Sequence, residues 1–192
     1  MTCVVGITDG SRIVMGADSG STDPQRRELY VVPMPKVFRA GENGEYLVGF
    51  AGSWRLGQVL GFEMQWPEIE GSFDYEFVVK RLLRDLRDCF ENQPDYKDTG
   101  GFGEQEWLTM IGAKGKIFVV TCKFDVITLS KDYVAIGSGR QVAYGSLSST
   151  ERLVLEERIQ FALEAASQFI TSITAPFLIL TSGDGSACRA AC

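Results

Sequence analysis

Three tight, glycine-bearing turns, each joining two segments rich in β-branched and aromatic residues, constrain this 192-residue chain to a largely antiparallel architecture. Thr8-Asp9-Gly10-Ser11 separates residues 2–7 from 12–17. Gly41-Glu42-Asn43-Gly44 separates 36–40 from 45–51, and Lys114-Gly115 separates 107–113 from 116–122. Segments joined this closely have no length for a crossover and must pair antiparallel. Residues 132–136 and 177–180 read as further short strands. Residues 53–66 read as a helix capped by Ser53 and stopped by Pro67. In residues 74–90, Tyr75, Val78, Val79, Leu82, Leu83, Leu86 and Phe90 recur at helical spacing, with Arg81, Arg84, Arg87 and Asp88 opposite. That stripe reads as core. A short helix is expected through Ser146, and a long one over 151–170 with Leu153, Ile159, Leu163, Ala166 and Ile170 inward. The polar segments 19–35 and 92–103 read as surface loops. Strands clustered in hairpins and helices arriving in blocks describe an α+β protein.

Length and composition narrow the function. The chain is expected to form a single domain over residues 1–192, with 181–192 a flexible tail. A net charge of -6 argues against nucleic acid and gives no reason to expect an anionic membrane surface as partner. No apolar run reaches the ~18 residues a membrane helix needs, and the start lacks the pattern of a signal peptide. The 5 cysteines, at irregular spacing, do not describe a disulfide framework. They read as reduced thiols, which predicts a cytoplasmic protein. Cys188 and Cys192 form a Cys-x-x-x-Cys tail of weak significance. Without histidine or a Cys-x-x-Cys pair, no metal site is expected.

The chain contains no histidine, so a hydroxyl nucleophile would need another base. It opens Met-Thr-Cys. Removing Met1 would expose Thr2 with its own α-amine, ordinarily titrating at about 7.7–8.0. Nucleophile and base would then share one residue. A nearby cation would keep that amine neutral and would itself need an anionic partner. The first hairpin places Asp18, at the far end of its second strand, beside Thr2. Lys36 opens the next strand after Pro35.

Five segments appear in order: Thr2-Cys3-Val4-Val5-Gly6, Gly16-Ala17-Asp18-Ser19, Lys36-Val37, Gly49-Phe50-Ala51-Gly52-Ser53 and Gly137-Ser138-Gly139. Together they resemble the proteasome β-subunit family of N-terminal nucleophile hydrolases, most of all the HslV-type and short bacterial and phage proteasome-like peptidases. The resemblance implies a four-layer αββα sandwich of two antiparallel sheets. It implies a threonine-type endopeptidase with no cofactor. Thr2 would be the nucleophile and its amine the base, and Asp18 and Lys36 the charged pair that tunes it. The Gly52 N–H would bind the oxyanion, with no Cβ in the way of the substrate carbonyl. Ser138 would bond near the amine. Thr22 would pair its backbone with an extended substrate, and Phe50 would sit near the floor of the specificity pocket. The implied partners are a polypeptide substrate, further copies of the chain in a ring or ring-like stack, and an ATPase unfoldase. Trp54-Arg55-Leu56-Gly57 departs from the small residues and Asp usual in the family.

Each residue also has a plainer reading. Thr2 and Cys3 could be ordinary packed strand residues. Asp18 could be a turn residue, Lys36 a solvated strand-end lysine, and Ser138 a helix cap. The competing functions are a small-amide hydrolase of the same superfamily and a non-catalytic assembly or scaffold protein that keeps Met1. On the catalytic reading, Lys36→Ala is expected to abolish labelling of the nucleophile and to keep the fold.

Overall fold

The computed structural model describes residues 1–23, 28–93 and 106–183. Cys188 and Cys192, and most of the expected 92–103 loop, lie outside the described residues. All three predicted hairpins form. The first joins β1 (Cys3–Thr8) to β2 (Ile13–Ala17). After β3 (Gly20–Asp23) and β4 (Glu28–Val31), the second joins β5 (Val37–Ala40) to β6 (Tyr46–Ala51). The third joins β7 (Leu108–Ala113) to β8 (Lys116–Thr121). With β9 (Val126–Thr128), β10 (Tyr133–Gly137) and β11 (Leu178–Thr181), the strands make three antiparallel sheets. One runs β10-β1-β2-β11, one runs β5-β6-β7-β8-β9, and β3-β4 is a two-stranded ribbon.

That ribbon corrects the expectation of an irregular loop over 19–35. Its residues are polar on β3 and exposed throughout β4, so neither strand carries the half-buried alternation that marks a strand in sequence. β9 went unpredicted for the same reason, being three residues long and largely exposed.

Helix α1 (Trp54–Gln58) is capped by the Ser53 hydroxyl, which accepts from Arg55 N–H, and runs on as a π-helical turn over Val59–Glu63. Helix α2 (Tyr75–Phe77), capped by Asp74, passes through a second π-helical turn (Val78–Leu82) into α3 (Leu83–Glu91). Val78, Leu82, Leu86 and Phe90 are buried, whereas Tyr75 and Val79 are 51% and 39% exposed, which corrects the predicted stripe. The i→i+5 bonding of a π-turn puts more residues in each turn than an α-turn, and the buried residues here recur every four positions, so a stripe drawn at 3.6 residues is too wide. Helices α4 (Arg140–Ser149) and α5 (Leu155–Phe169) pack on each other. Leu153 precedes α5 and is exposed rather than inward.

Three apolar clusters hold these elements together. Val4, Met15, Leu47, Met110 and Val119 lie in a cluster drawn from both large sheets. Alternate residues of β1 and β2, among them Val5, Ile7 and Val14, join α4 and α5 through Leu147, Ile159 and Leu163. Alternate residues of the five-stranded sheet, including Phe38, Val48, Ile111 and Phe118, join α1–α3. Period-two alternation thus gives each large sheet two buried faces. Glycines set the closest approaches. A Cβ at Gly49 would lie 2.6 Å from Val4 Cγ1, and one at Gly6 would lie 2.4 Å from Met110 Sδ.

Gly57 makes room in the same way for the ring of Phe50, which a Cβ there would meet at 2.1 Å. An Ala for Gly exchange on a helix ordinarily gains about 1 kcal/mol. Here the added methyl meets a stiff ring that is itself held edge-on by Trp54 at 5.8 Å. Overpacking of that kind costs about 1–3 kcal/mol and is the larger effect. Gly57→Ala is therefore expected to lower stability, read as a reduced urea midpoint. An unchanged or raised midpoint would show that Phe50 repacks freely.

Candidate active site

The register of two strand pairs builds the site. β1 pairs with β10 so that Cys3 faces Gly137, which carries Thr2 to Ser138. β1 pairs with β2 so that Val4 faces Ala17, which carries Cys3 to Asp18. Backbone bonds Asp18 N–H to Cys3 O (3.2 Å) and Gly139 N–H to Thr2 O (3.2 Å) continue both ladders past their ends. Thr2, at the head of β1, is buried between the two junctions.

Asp18 is fully satisfied. Its Oδ1 accepts from Cys3 N–H (2.9 Å) and Lys36 Nζ (2.8 Å), and its Oδ2 accepts from Gly20 N–H (2.9 Å). The pair is dry, with side-chain exposures of 0% for Asp18 and 2% for Lys36. Lys36 Nζ also donates to Gly20 O (2.5 Å) and to Met1 O (3.3 Å), the carbonyl immediately before Thr2. All three ammonium donors are therefore directed, and the Trp54 ring lies 5.8 Å away on a further side. Burial pushes the Lys36 ammonium below the ordinary lysine value, with Asp18 opposing it. Lys36 is thus no solvated strand-end residue, and Asp18 does more than shape a turn.

Ser138 does not cap a helix. Gly139 is the N-cap of α4 and offers no side-chain bond. The Ser138 hydroxyl instead accepts from Thr2 N–H (3.2 Å) and lies 3.3 Å from Thr2 O, to which it can donate. Thr22 lies in β3, whose backbone pairs with β4 on one side, and its Oγ1 accepts from the Met1 ammonium (3.0 Å). Burial and then Lys36 hold that ammonium below the ordinary α-amine value, against the pull of Asp18. Cys3 is buried in its strand, and burial with Asp18 nearby pushes its thiol up to about 12. A thiol so protonated is a packing residue rather than a nucleophile.

Gly52 has a φ of 139°, a conformation that favours glycine. A Cβ there would lie 2.8 Å from Trp107 Cβ. The absent side chain therefore makes room for Trp107 and permits the turn out of β6, a different reason from a clear path for a substrate carbonyl. A cavity of about 460 Å³ lies over Thr2, lined by Ala51 and Gly52 on one side and Gly137 and Ser138 on another. Phe50 is packed inside the protein against Gly57 and Trp54 and is not part of that lining.

Sequence reasoning missed several neighbours of the site. Gly20 supplies both a donor to Asp18 and an acceptor to Lys36. Trp54 ties α1 to the ribbon through its indole N–H on Ser21 Oγ (2.7 Å). Glu106, Trp107 and Arg140 line the cavity. Only Arg140 had a local signal, as the charged residue directly after Gly137-Ser138-Gly139. Among the described residues no group of His, Cys, Asp or Glu could hold a metal ion, and no helix is long and apolar enough to cross a membrane.

The buried pair makes a stability prediction that replaces the expectation of an unperturbed fold. Lys36→Ala strands the Asp18 carboxylate without its counter-charge, a loss of about 3–5 kcal/mol. Lys36→Met combined with Asp18→Asn removes both charges and is expected to lose less than Lys36→Ala alone. Urea unfolding of the variants checks this, and equal losses would mean that water reaches Asp18.

No protein-family model matches the chain, and no curated protein matches it in sequence. Solved structures do. The chain superposes on BPH from Thiobacillus denitrificans, in complex with epoxomicin, with a TM-score of 0.73 at 20% identity, over 94% of this chain and 97% of that one. Eukaryotic HslV from Trypanosoma brucei gives 0.63 at 17% identity, over 94% and 98%. Anbu, an ancestral β-subunit from Yersinia bercovieri, gives 0.71 at 14% identity, over 98% and 85%. The chain therefore has the fold of the proteasome-type N-terminal nucleophile hydrolases.

Proposed function

We propose that this protein is a threonine-type endopeptidase with Thr2 as nucleophile, acting after Met1 is removed. The convergence of Lys36 on Met1 O and of Ser138 on Thr2 N carries the reading: a buried cation and a hydroxyl address the two sides of one peptide bond. With Met1 gone, the Thr2 amine takes the Oγ proton and Oγ adds to the substrate carbonyl carbon. Asp18 holds Lys36, and the Lys36 charge keeps the amine neutral and favours the developing alkoxide. The Gly52 N–H faces the oxyanion. The proton passes from the amine to the leaving nitrogen, the C–N bond breaks, and water hydrolyses the ester left on Thr2. Ser138 orients the amine. The open edge of β3 at Thr22 accepts an extended polypeptide as an added strand.

The same reading makes the chain a four-layer αββα sandwich, supported by its three apolar clusters. It makes the protein a cytoplasmic homo-oligomer, a ring or ring-like stack served by an ATPase unfoldase. One observation favours a second reading. The Met1 ammonium is bonded to Thr22, so a chain that keeps Met1 would be a non-catalytic assembly protein with its substrate edge blocked.

Epoxomicin, found with the Thiobacillus protein, is the test reagent. Intact mass of the purified protein should lack methionine and gain one epoxomicin adduct, which Thr2→Ala abolishes. Retained methionine without an adduct, in folded protein, would establish the second reading. The rate of adduct formation should also report the amine. A depressed pKa leaves the base neutral at lower pH, so the rate should rise through a midpoint below the ordinary 7.7–8.0 of an α-amine. A midpoint at or above that range would remove Lys36 from the role given to it.

A further inference from the structure

Arg140 is exposed at the rim of the candidate site and is not held there by an ion pair among the described residues. It opens α4, where a cation meets the positive end of the helix dipole. No acidic residue occupies that first turn. Among the described residues Arg140 forms no ion pair, and one guanidinium nitrogen donates to Gly137 O at 3.0 Å. That bond anchors the side chain at the end of β10, in the wall of the 460 Å³ cavity that contains Thr2. Among the described residues the remaining guanidinium donors have no partner, and a guanidinium fork matches a carboxylate.

The site fixes which part of a substrate Arg140 would meet. The leaving nitrogen must collect its proton from the Thr2 amine, so it departs on the side where that amine lies. Thr2 N lies on Ser138 Oγ, two residues from Arg140. Glu106, which also lines the cavity, has its backbone on the opposite side, its carbonyl oxygen 3.8 Å from where a Gly52 Cβ would stand. Arg140 therefore stands on the side of the nucleophile from which the leaving group departs.

We propose that Arg140 is a specificity-determining residue that binds a carboxylate in the segment just C-terminal to the scissile bond, a proposal that rests on the peptidase reading. The carboxylate is either an Asp or Glu side chain or the free C-terminus of a short product segment.

Internally quenched peptides separate these sources. Glu and Gln are compared at each of the first two positions after the cleaved bond, and each peptide is made with a free and an amidated C-terminus. Epoxomicin labelling of Thr2 is followed in parallel. For the unsubstituted enzyme, kcat/KM should favour one carboxylate-bearing form about fivefold to tenfold over its neutral partner, the size of one partly exposed charge-assisted bond. A Glu preference identifies the side chain and a free-acid preference identifies the terminus. The preference should vanish in Arg140→Ala and turn toward Lys over Gln in Arg140→Glu. Equal rates for charged and neutral partners, or a preference that survives Arg140→Ala, would overturn the proposal while Thr2 labelling kept the peptidase reading intact. Absence of both labelling and cleavage would overturn the two together.

Discussion

The ion pair between Asp18 and Lys36 is the interaction on which the rest of the site depends. Two opposite charges with almost no solvent contact cannot be tolerated singly, so the fold must deliver both at once. Asp18 arrives from the end of β2 and binds the amide of β1, while Lys36 arrives from the approach to β5 in the other large sheet. The pair therefore fixes how the two sheets meet at the end where the chain begins. Gly20 completes the pair and locks the ribbon to it, so that one carboxylate sets the positions of β1, β3 and β5 together.

Close approach between the sheets makes that delivery possible. Gly49 of β6 lies directly against Val4 of β1, and Gly6 of β1 admits the sulfur of Met110 from β7. Larger residues at either point would press the sheets apart and strain the 2.8 Å salt bridge. Dense packing carries such a displacement over a distance rather than absorbing it locally. Phe50 and Trp54 act likewise on the far side of the five-stranded sheet. Phe50 seats into the gap left by Gly57, and Trp54 spans from that ring to Ser21 and the neighbourhood of Lys36. The departure from small residues at 54–57 thus becomes a brace between helix α1 and the ribbon.

Local features were legible in the sequence, and long-range ones were not. All three hairpins could be read because turn and strands lie within a few residues, and the Asp18–Thr2 proximity follows directly from the first of them. The β1–β10 pairing joins Cys3 to Gly137, and nothing in periodicity or spacing indicates it. Ser138 was reached only through the resemblance. The ribbon escaped because both of its strands lack a buried face. The stripe on α2–α3 was drawn too wide because π-helical turns alter the period. Gly52 was singled out on an incomplete ground, since only the structure brings Trp107 against it.

The contacts around Met1 bear on how such a site comes to be armed. Lys36 and Ser138 hold backbone atoms, namely Met1 O, Thr2 N and Thr2 O, and none of these bonds requires a free amine. The fold therefore assembles the charged pair and the serine around the uncleaved chain. Removing Met1 takes away one acceptor from Lys36 and leaves its other two in place, on Asp18 and Gly20. The ammonium then has one donor unengaged on the side of Thr2. An unsatisfied buried donor is costly, and the charge that develops on Oγ or a substrate oxygen is what would relieve it. On the peptidase reading, removal of one residue thus creates the base and at the same moment vacates the electrostatic position that stabilises the reaction.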